Sequence, residues 1–294
     1  MRMLLAISAL IGLGAAAPAW ADVTLRYKPV VPATASAPPP GSVPILTVAA
    51  DDAGQARIEM VAPAGAAGAA PGASPPSVAL ITREGVGYVA LNGPQAGQQI
   101  VARQDDVLAI VTPLASGLAG GSGREGVQEM MRQRVEVVPL GTESVAGVQG
   151  RLYRIVMISG ETRSPPIEIV LSQDPRLAPA GRELVRLTDS LRPIVVAVMG
   201  GEPQVYAAVR ALLVQGTPLR LTNAFVLDSF STEDVPDSRF ALPGPVMSRE
   251  QLGQMMGAMM GRRPPGAAGS AGPAPAPEPA PAPVPPAGAP PHPQ

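Results

Sequence analysis

The stretch Ser77 to Gly93, SVALITREGVGYVALNG, constrains the fold more than any other part of the chain. Two runs rich in Val, Ile, Leu and Tyr flank a polar turn at Arg83-Glu84-Gly85, and a third run, Gln99 to Gln104, follows closely. Strands joined by so few residues pair antiparallel, because a parallel pair needs a crossover of a dozen residues or more. The same spacing recurs elsewhere. Asp22 to Val31 alternates Val23, Leu25 and Tyr27 with Thr24, Arg26 and Lys28, the pattern of a half-buried strand. Val43 to Ala49 and Ala56 to Val61 meet at the turn Asp51-Asp52-Ala53-Gly54. Val135 to Leu140 and Gly150 to Ser159 flank a polar bend at Gly141-Thr142-Glu143. Ile167 to Ser172, one run from Leu219 to Phe230, and Ser238 to Leu242 complete the predicted strands.

Helical signals interrupt this pattern in few places. Asp105-Asp106 reads as an N-cap opening a short buried helix in VLAIVTPLAS, and Val127 to Arg132 adds a helical turn. Asp174-Pro175 fits an N-cap with proline at the first helical position. Beyond it Leu184, Leu187, Leu191 and Val195 recur at helical spacing, with Pro193 kinking or splitting the element. Glu202 to Gln215 carries Val205, Val209 and Leu212 on one face and stops at Gly216. The order is strands, a helix, strands, two helices, strands, with no alternation of strand and helix. It predicts an α+β fold, mainly antiparallel: an incomplete, curved β-barrel or half-barrel whose helices plug the concave face.

The first residues bear on compartment. Arg2, the apolar run Leu4 to Ala17 and the small-x-small pattern Ala19-Trp20-Ala21 have the parts of a secretory signal peptide cleaved after Ala21. The expected location is the periplasm. No cysteine follows the cleavage pattern, so a lipoprotein is not expected, and no transmembrane segment is expected after cleavage. With no cysteine in 294 residues, an exported chain must rest on an ordinary apolar core. Lys plus Arg is 22 against 23 Asp plus Glu, and no basic stripe forms, which argues against a nucleic-acid partner. Ala62 to Pro76 is a low-complexity Ala/Gly/Pro insertion, and Pro264 to Gln294, with 13 prolines, is disordered by composition and favours extended polyproline II. The expected organisation is residues 1–21 signal peptide, 22–245 folded domain, 246–263 Met-rich amphipathic helix and 264–294 tail.

Several short motifs point to a family. They are ALITREGVGYVAL with QQIVARQ, the step Gly141-Thr142-Glu143-Ser144-Val145-Ala146-Gly147, Tyr153 in the strand after it, the turn Gly216-Thr217-Pro218-Leu219, and Phe240-Ala241-Leu242-Pro243. Over Asp22 to Pro245 the chain resembles the LolA/LolB-like lipoprotein-carrier fold, and more specifically the exported DUF4412-type bacterial proteins. The resemblance implies an incomplete barrel with a helical plug and a cavity for acyl chains. The two Pro/Ala insertions, the Met-rich segment and the proline tail depart from that pattern.

Chemistry-bearing residues are sparse. His292, in the proline tail, is the only histidine, so Ser-His-Asp, Cys-His and the common zinc sites are excluded and no metal or cofactor is expected. Asp228, Glu233, Asp234 and Asp237 form an acidic cluster without the glycine of a calcium loop. Gly121-Ser122-Gly123-Arg124-Glu125-Gly126 matches G-x-G-x-x-G but lacks the strand and βαβ context of a dinucleotide site. Ser248 and Gln251 form a capping box, after which Leu252, Met255, Met256, Met259 and Met260 fall on one stripe. That stripe can dock on the domain, offer a soft surface to a partner or a membrane face, or hold Cu(I) through thioethers, and the proline tail can tether the chain through the cell-wall layer, so an envelope protein or cell-wall partner is expected. The leading expectation is a non-enzymatic binding or carrier protein with an apolar cavity for lipid or another hydrophobic ligand. Its cavity candidates are Leu25, Tyr27, Ile45, Tyr88, Ile100, Leu108, Tyr153, Ile155, Leu184 and Val209. The alternative is a structural or stress-related envelope module with a filled core.

Overall fold

A computed structural model describes residues 22–30, 43–62, 76–92, 99–119, 124–222 and 224–261. The signal-peptide reading, the Ala/Gly/Pro insertion and the proline tail lie outside the described residues. Two units divide the chain, Met1–Gly253 and Gln254–Gln294.

The first unit is built on one open antiparallel sheet flanked by helices. Its strands are β1 (Val23–Pro29), β2 (Ile45–Ala50), β3 (Ala56–Val61), β4 (Ser77–Arg83), β5 (Val86–Asn92), β6 (Gln99–Arg103), β7 (Arg134–Val145), β8 (Val148–Ser159), β9 (Thr162–Arg163), β10 (Ile167–Ser172), β11 (Thr217–Leu221), β12 (Phe225–Ser231) and β13 (Val246–Met247). Its helices are α1 (Gln104–Ala119), α2 (Arg124–Arg132), α3 (Ala178–Met199) and α4 (Gln204–Leu213); α5 (Arg249–Gly261) begins in the first unit and ends in the second. Strand order is β13-β6-β5-β4-β3-β2-β1-β12-β11-β10-β8-β7, with β9 beside β8, so the sheet does not close into a barrel. The expected class, an α+β half-barrel, is what forms. Register shifts at Arg26/Tyr27, Val170/Leu171 and Pro139/Gly141 are bulges, and bulges bend and twist the strands that carry them.

Local chemistry explains the tight connections. Glu84 and Gly85 turn β4 into β5 with φ of 53° and 76°, and Ala146 and Gly147 turn β7 into β8 with 49° and 78°. Two consecutive left-handed residues are what a two-residue hairpin turn needs to match strand twist. Asp174 caps the 3-10 turn Pro175–Leu177, accepting from the Arg176 N–H, and that turn runs directly into α3.

Several expectations are corrected. The β7–β8 turn is Ala146-Gly147; Gly141 instead sits inside β7 at φ 127°, where only a residue without Cβ is comfortable. Leu219 to Phe230 is two strands, β11 and β12, joined by a tight turn. Ser238 to Leu242 is not a strand: Asp237–Phe240 is a 3-10 turn, and the last strand is β13, parallel to β6. Asp105 and Asp106 lie in the first turn of α1, which begins at Gln104 and runs 16 residues, half-buried throughout much of its length. Pro193 does not split α3, a single helix of 22 residues. Pro193 and the Pro113 of α1 are both exposed, on the side of a helix where a missing donor costs least. The strand β9 was not foreseen.

Packing forms three clusters. The largest gathers Val23, Leu25 and Tyr27 of β1 with Val48, Ile58, Leu219 and the N-terminal part of α3. A second places Tyr153, Ile155, Ile169 and Leu171 against Leu212 and Val209 of α4. The third joins Ala79, Ile81, Ala90 and Val101 with Tyr88 and Leu242. Tyr27 stacks edge-on to Phe225 at 5.0 Å, and its buried hydroxyl donates to the Pro218 carbonyl at 2.7 Å.

α5 begins with the expected capping box: the Gln251 N–H donates to Ser248 Oγ at 3.2 Å and the Ser248 N–H donates to Gln251 Oε1 at 2.9 Å. Leu252 is buried and Met255 and Met256 are half-buried. The side chains of Met259 and Met260 lie outside the described residues.

Candidate functional site: an open apolar row on the helix-facing side

The two sides of strands β2 to β6 can be told apart from α3. Thr82 of β4 donates to the buried Glu183 of α3 at 3.2 Å, and the Gln104 side chain, packed against Gly87 of β5, donates to Ser190 of α3 at 2.6 Å. Thr82 and Gly87 are directly paired, so their side of the sheet is the one α3 covers. In β4 that side carries Thr82, Leu80 and Val78, since alternate residues share a face.

Following the register outward from Val78 gives one line of apolar residues. Leu46 pairs with Met60, Met60 with Val78, Val78 with Leu91, and Leu91 with Ile100. The row crosses five strands and is four residues, about 13 Å, along β4 from the Thr82 contact with α3. Cover fades along that path. On β3 the exposure of successive helix-facing residues rises from 1% at Ala56 to 9% at Ile58 and 51% at Met60. Val78 and Leu91 are exposed as well.

The opposite side of the same strands is largely covered over β4, though Gln99 and Arg103 of β6 stay exposed there. Ser77, Ala79 and Ile81 of β4 are buried, Leu242 from the segment between β12 and β13 packs into that cluster, and Phe240, buried in the 3-10 turn before it, lies beside β3 and β4. Arg239 of that segment reaches Glu59 at 3.4 Å, and the Arg57 guanidinium beside Glu59 holds its carboxyl below the usual range. Normally the helix side of such a sheet is the packed one. Here the first cluster fills the helix side near α3, the third fills part of the back, and the outer helix-facing row is open.

The ten cavity candidates do not gather in one place. Tyr27 pairs with Leu46 at one end of the row, and Ile100 stands at the other. Leu25 and Leu184 belong to the first cluster, while Tyr153, Ile155 and Val209 belong to the second. Tyr88 and Ile45 alternate onto the back side, Tyr88 in the third cluster. Leu108 is half-buried on α1. Leu46, Met60, Val78 and Leu91 were missed. Their alternation was visible in the sequence, but which phase faces the helices depends on distant partners, α3 on one side and Leu242 on the other.

The other sequence features fall elsewhere. Asp228 is paired with Lys28 at 2.9 Å, whose ammonium lowers the carboxyl's pKa. The end of the G-x-G-x-x-G run opens α2, and the element before it is α1, not a strand. Among the described residues no group of three or more His, Asp or Glu side chains is placed to hold a metal, and no helix is long and apolar enough to cross a membrane.

No protein-family model matches the chain, and no curated protein matches it. Among solved structures it is similar to the crystal structure of MucB, at 10% identity and a TM-score of 0.33. That match covers 77% of this chain and spans 58% of the MucB chain.

Proposed function

We propose that this chain is a periplasmic, non-catalytic binding or carrier protein that takes a hydrophobic ligand, a lipid or acyl chain, along the open apolar row. The reading includes membership of the DUF4412-type proteins with a LolA/LolB-like fold. One observation carries it: the sheet leaves Met60, Val78 and Leu91 uncovered on the side that faces the helices. Each large apolar side chain left in water forgoes about 1.5–3 kcal/mol of burial, so an aligned set of them favours an apolar occupant.

Native mass spectrometry of the protein purified from its own periplasm tests the reading. A co-purified lipid is the expected outcome, together with saturable binding of a fluorescent fatty acid. Met60→Asp or Val78→Asp should weaken that binding at least tenfold while leaving the thermal midpoint within a few degrees, because both sites are exposed. A clean apo mass with no probe binding would favour the alternative, an envelope module with a filled core.

A further inference from the structure

Motifs from distant parts of the sequence meet at a second place, away from the apolar row. Asp174 with its cap, Tyr153 and the turn that starts at Gly216 line two adjoining clefts. Three glycines let the backbones approach this closely. A Cβ on Gly216 would stand 2.4 Å from the Ser172 carbonyl oxygen, one on Gly181 2.4 Å from Thr217 Oγ1, and one on Gly150 2.6 Å from Val170 Cγ1.

The first lobe, about 540 Å³, lies between α3 and α4, with Ala178, Val185, Leu213 and Val214 as its apolar wall. The second, about 500 Å³, is lined by Thr142, Gln149, Arg151 and Tyr153. Gln173, Asp174 and Gln215 line both. The volumes suit a small organic molecule. Hydrogen bonds fix the shared partition: the Tyr153 hydroxyl donates to Gln215 Oε1 at 3.2 Å and Gln215 Nε2 donates to the Ala211 carbonyl at 3.2 Å.

Charge selects the head group. Asp174 is already engaged by Arg176, whose guanidinium approaches to 2.6 Å and holds the carboxyl below its usual range. Arg182 lines the first lobe, sits 3.9 Å from Asp52 and also acts electrostatically on the neighbouring Glu183 carboxyl. Arg151, exposed in the second lobe, has no ion pair among the described residues. The lining thus keeps a surplus of positive charge, and its unengaged cation lies one partition away from the apolar wall.

We propose that this double cleft binds a small anionic amphiphile, its hydrocarbon body against Val185, Leu213 and Val214 and its anionic head on Arg151. This site shares no residue with the apolar row and does not rest on the carrier reading.

Titration calorimetry with octanoate, and with octanol as the uncharged counterpart, tests it on the full mature chain. Expected are saturable octanoate binding, a loss of about tenfold in Arg151→Gln with Arg182→Gln within twofold, and no change in octanol binding in either variant. A salt-weakened charge-assisted contact is worth about that much. Val185→Trp, which fills the first lobe, should remove both ligands; should it misfold, Leu213→Trp serves the same purpose. Octanoate binding that ignores Arg151→Gln, that falls instead with Arg182→Gln, or that is lost in Met60→Asp and kept in Val185→Trp would overturn the proposal. So would the absence of saturable binding at millimolar octanoate.

Discussion

At the scale of single residues, Glu183 ties stability to pH through burial. It is 5% exposed, accepts from Thr82 and pairs with Arg186 at 3.2 Å, yet burial outweighs these contacts and pushes its carboxyl above the ordinary value. Asp51 across the β2–β3 turn adds to the rise, and Arg182 opposes it. A carboxyl that holds its proton more firmly when folded makes the folded state bind more protons than the unfolded one. Stability therefore falls as pH rises from the usual carboxylate range through the raised pKa. Glu183→Gln keeps a partner for Thr82 and leaves Arg186, half in water, solvated. It should raise the thermal midpoint at pH 7 and converge with wild type near pH 4, as measured by calorimetry across that range. Glu59 acts with the opposite sign, since Arg57 lowers its pKa and its contribution is lost as pH falls. Gly216 marks a second sensitive point. Gly216→Ala drives a methyl into the β10 backbone and should cost about 1–3 kcal/mol in urea unfolding.

Elements show where local sequence decided structure and where it did not. The hairpin β4–β5, the alternation of β1, the Asp174 cap and the Ser248/Gln251 box were all legible, because each depends on neighbours within four residues. The break between β11 and β12 was hidden by an unbroken run of strand-formers, and the continuity of α3 through Pro193 depends on packing along its other face. The half-barrel class was read correctly from the order of elements. The open row was not, because alternation gives two phases and the choice between them rests on distant partners, α3 through Glu183 on one side and Leu242 on the other. Turn chemistry yields a direct test. Ala146 adopts a left-handed φ of 49° that alanine disfavours. Ala146→Asn should therefore stabilise the protein by about 0.5–1 kcal/mol, read as a higher urea midpoint at constant slope.

Across the whole molecule, the sheet has two unlike ends. One is sealed only by β13, two residues long; the other is the 12-residue β7, with Val137, Val138 and Leu140 exposed along it. Pro139 and the bulge at Gly141 interrupt that edge in its middle, a known defence against strand-to-strand association. Replacing both, as Pro139→Val with Gly141→Val, should produce concentration-dependent assembly in light scattering. The wild type should show none, and adding Val138→Lys to the double variant should suppress it.

The central seam has a kinetic corollary. β1 lies between β2 and β12, and Thr24 aligns with Ser231, so the first strand waits for a neighbour some two hundred positions later in the chain. Until that neighbour is synthesised, β1 keeps a bare flank, and no truncated intermediate lacking it can zip the two halves together. Such distant pairing slows refolding, which lengthens the time the chain spends without its central seam.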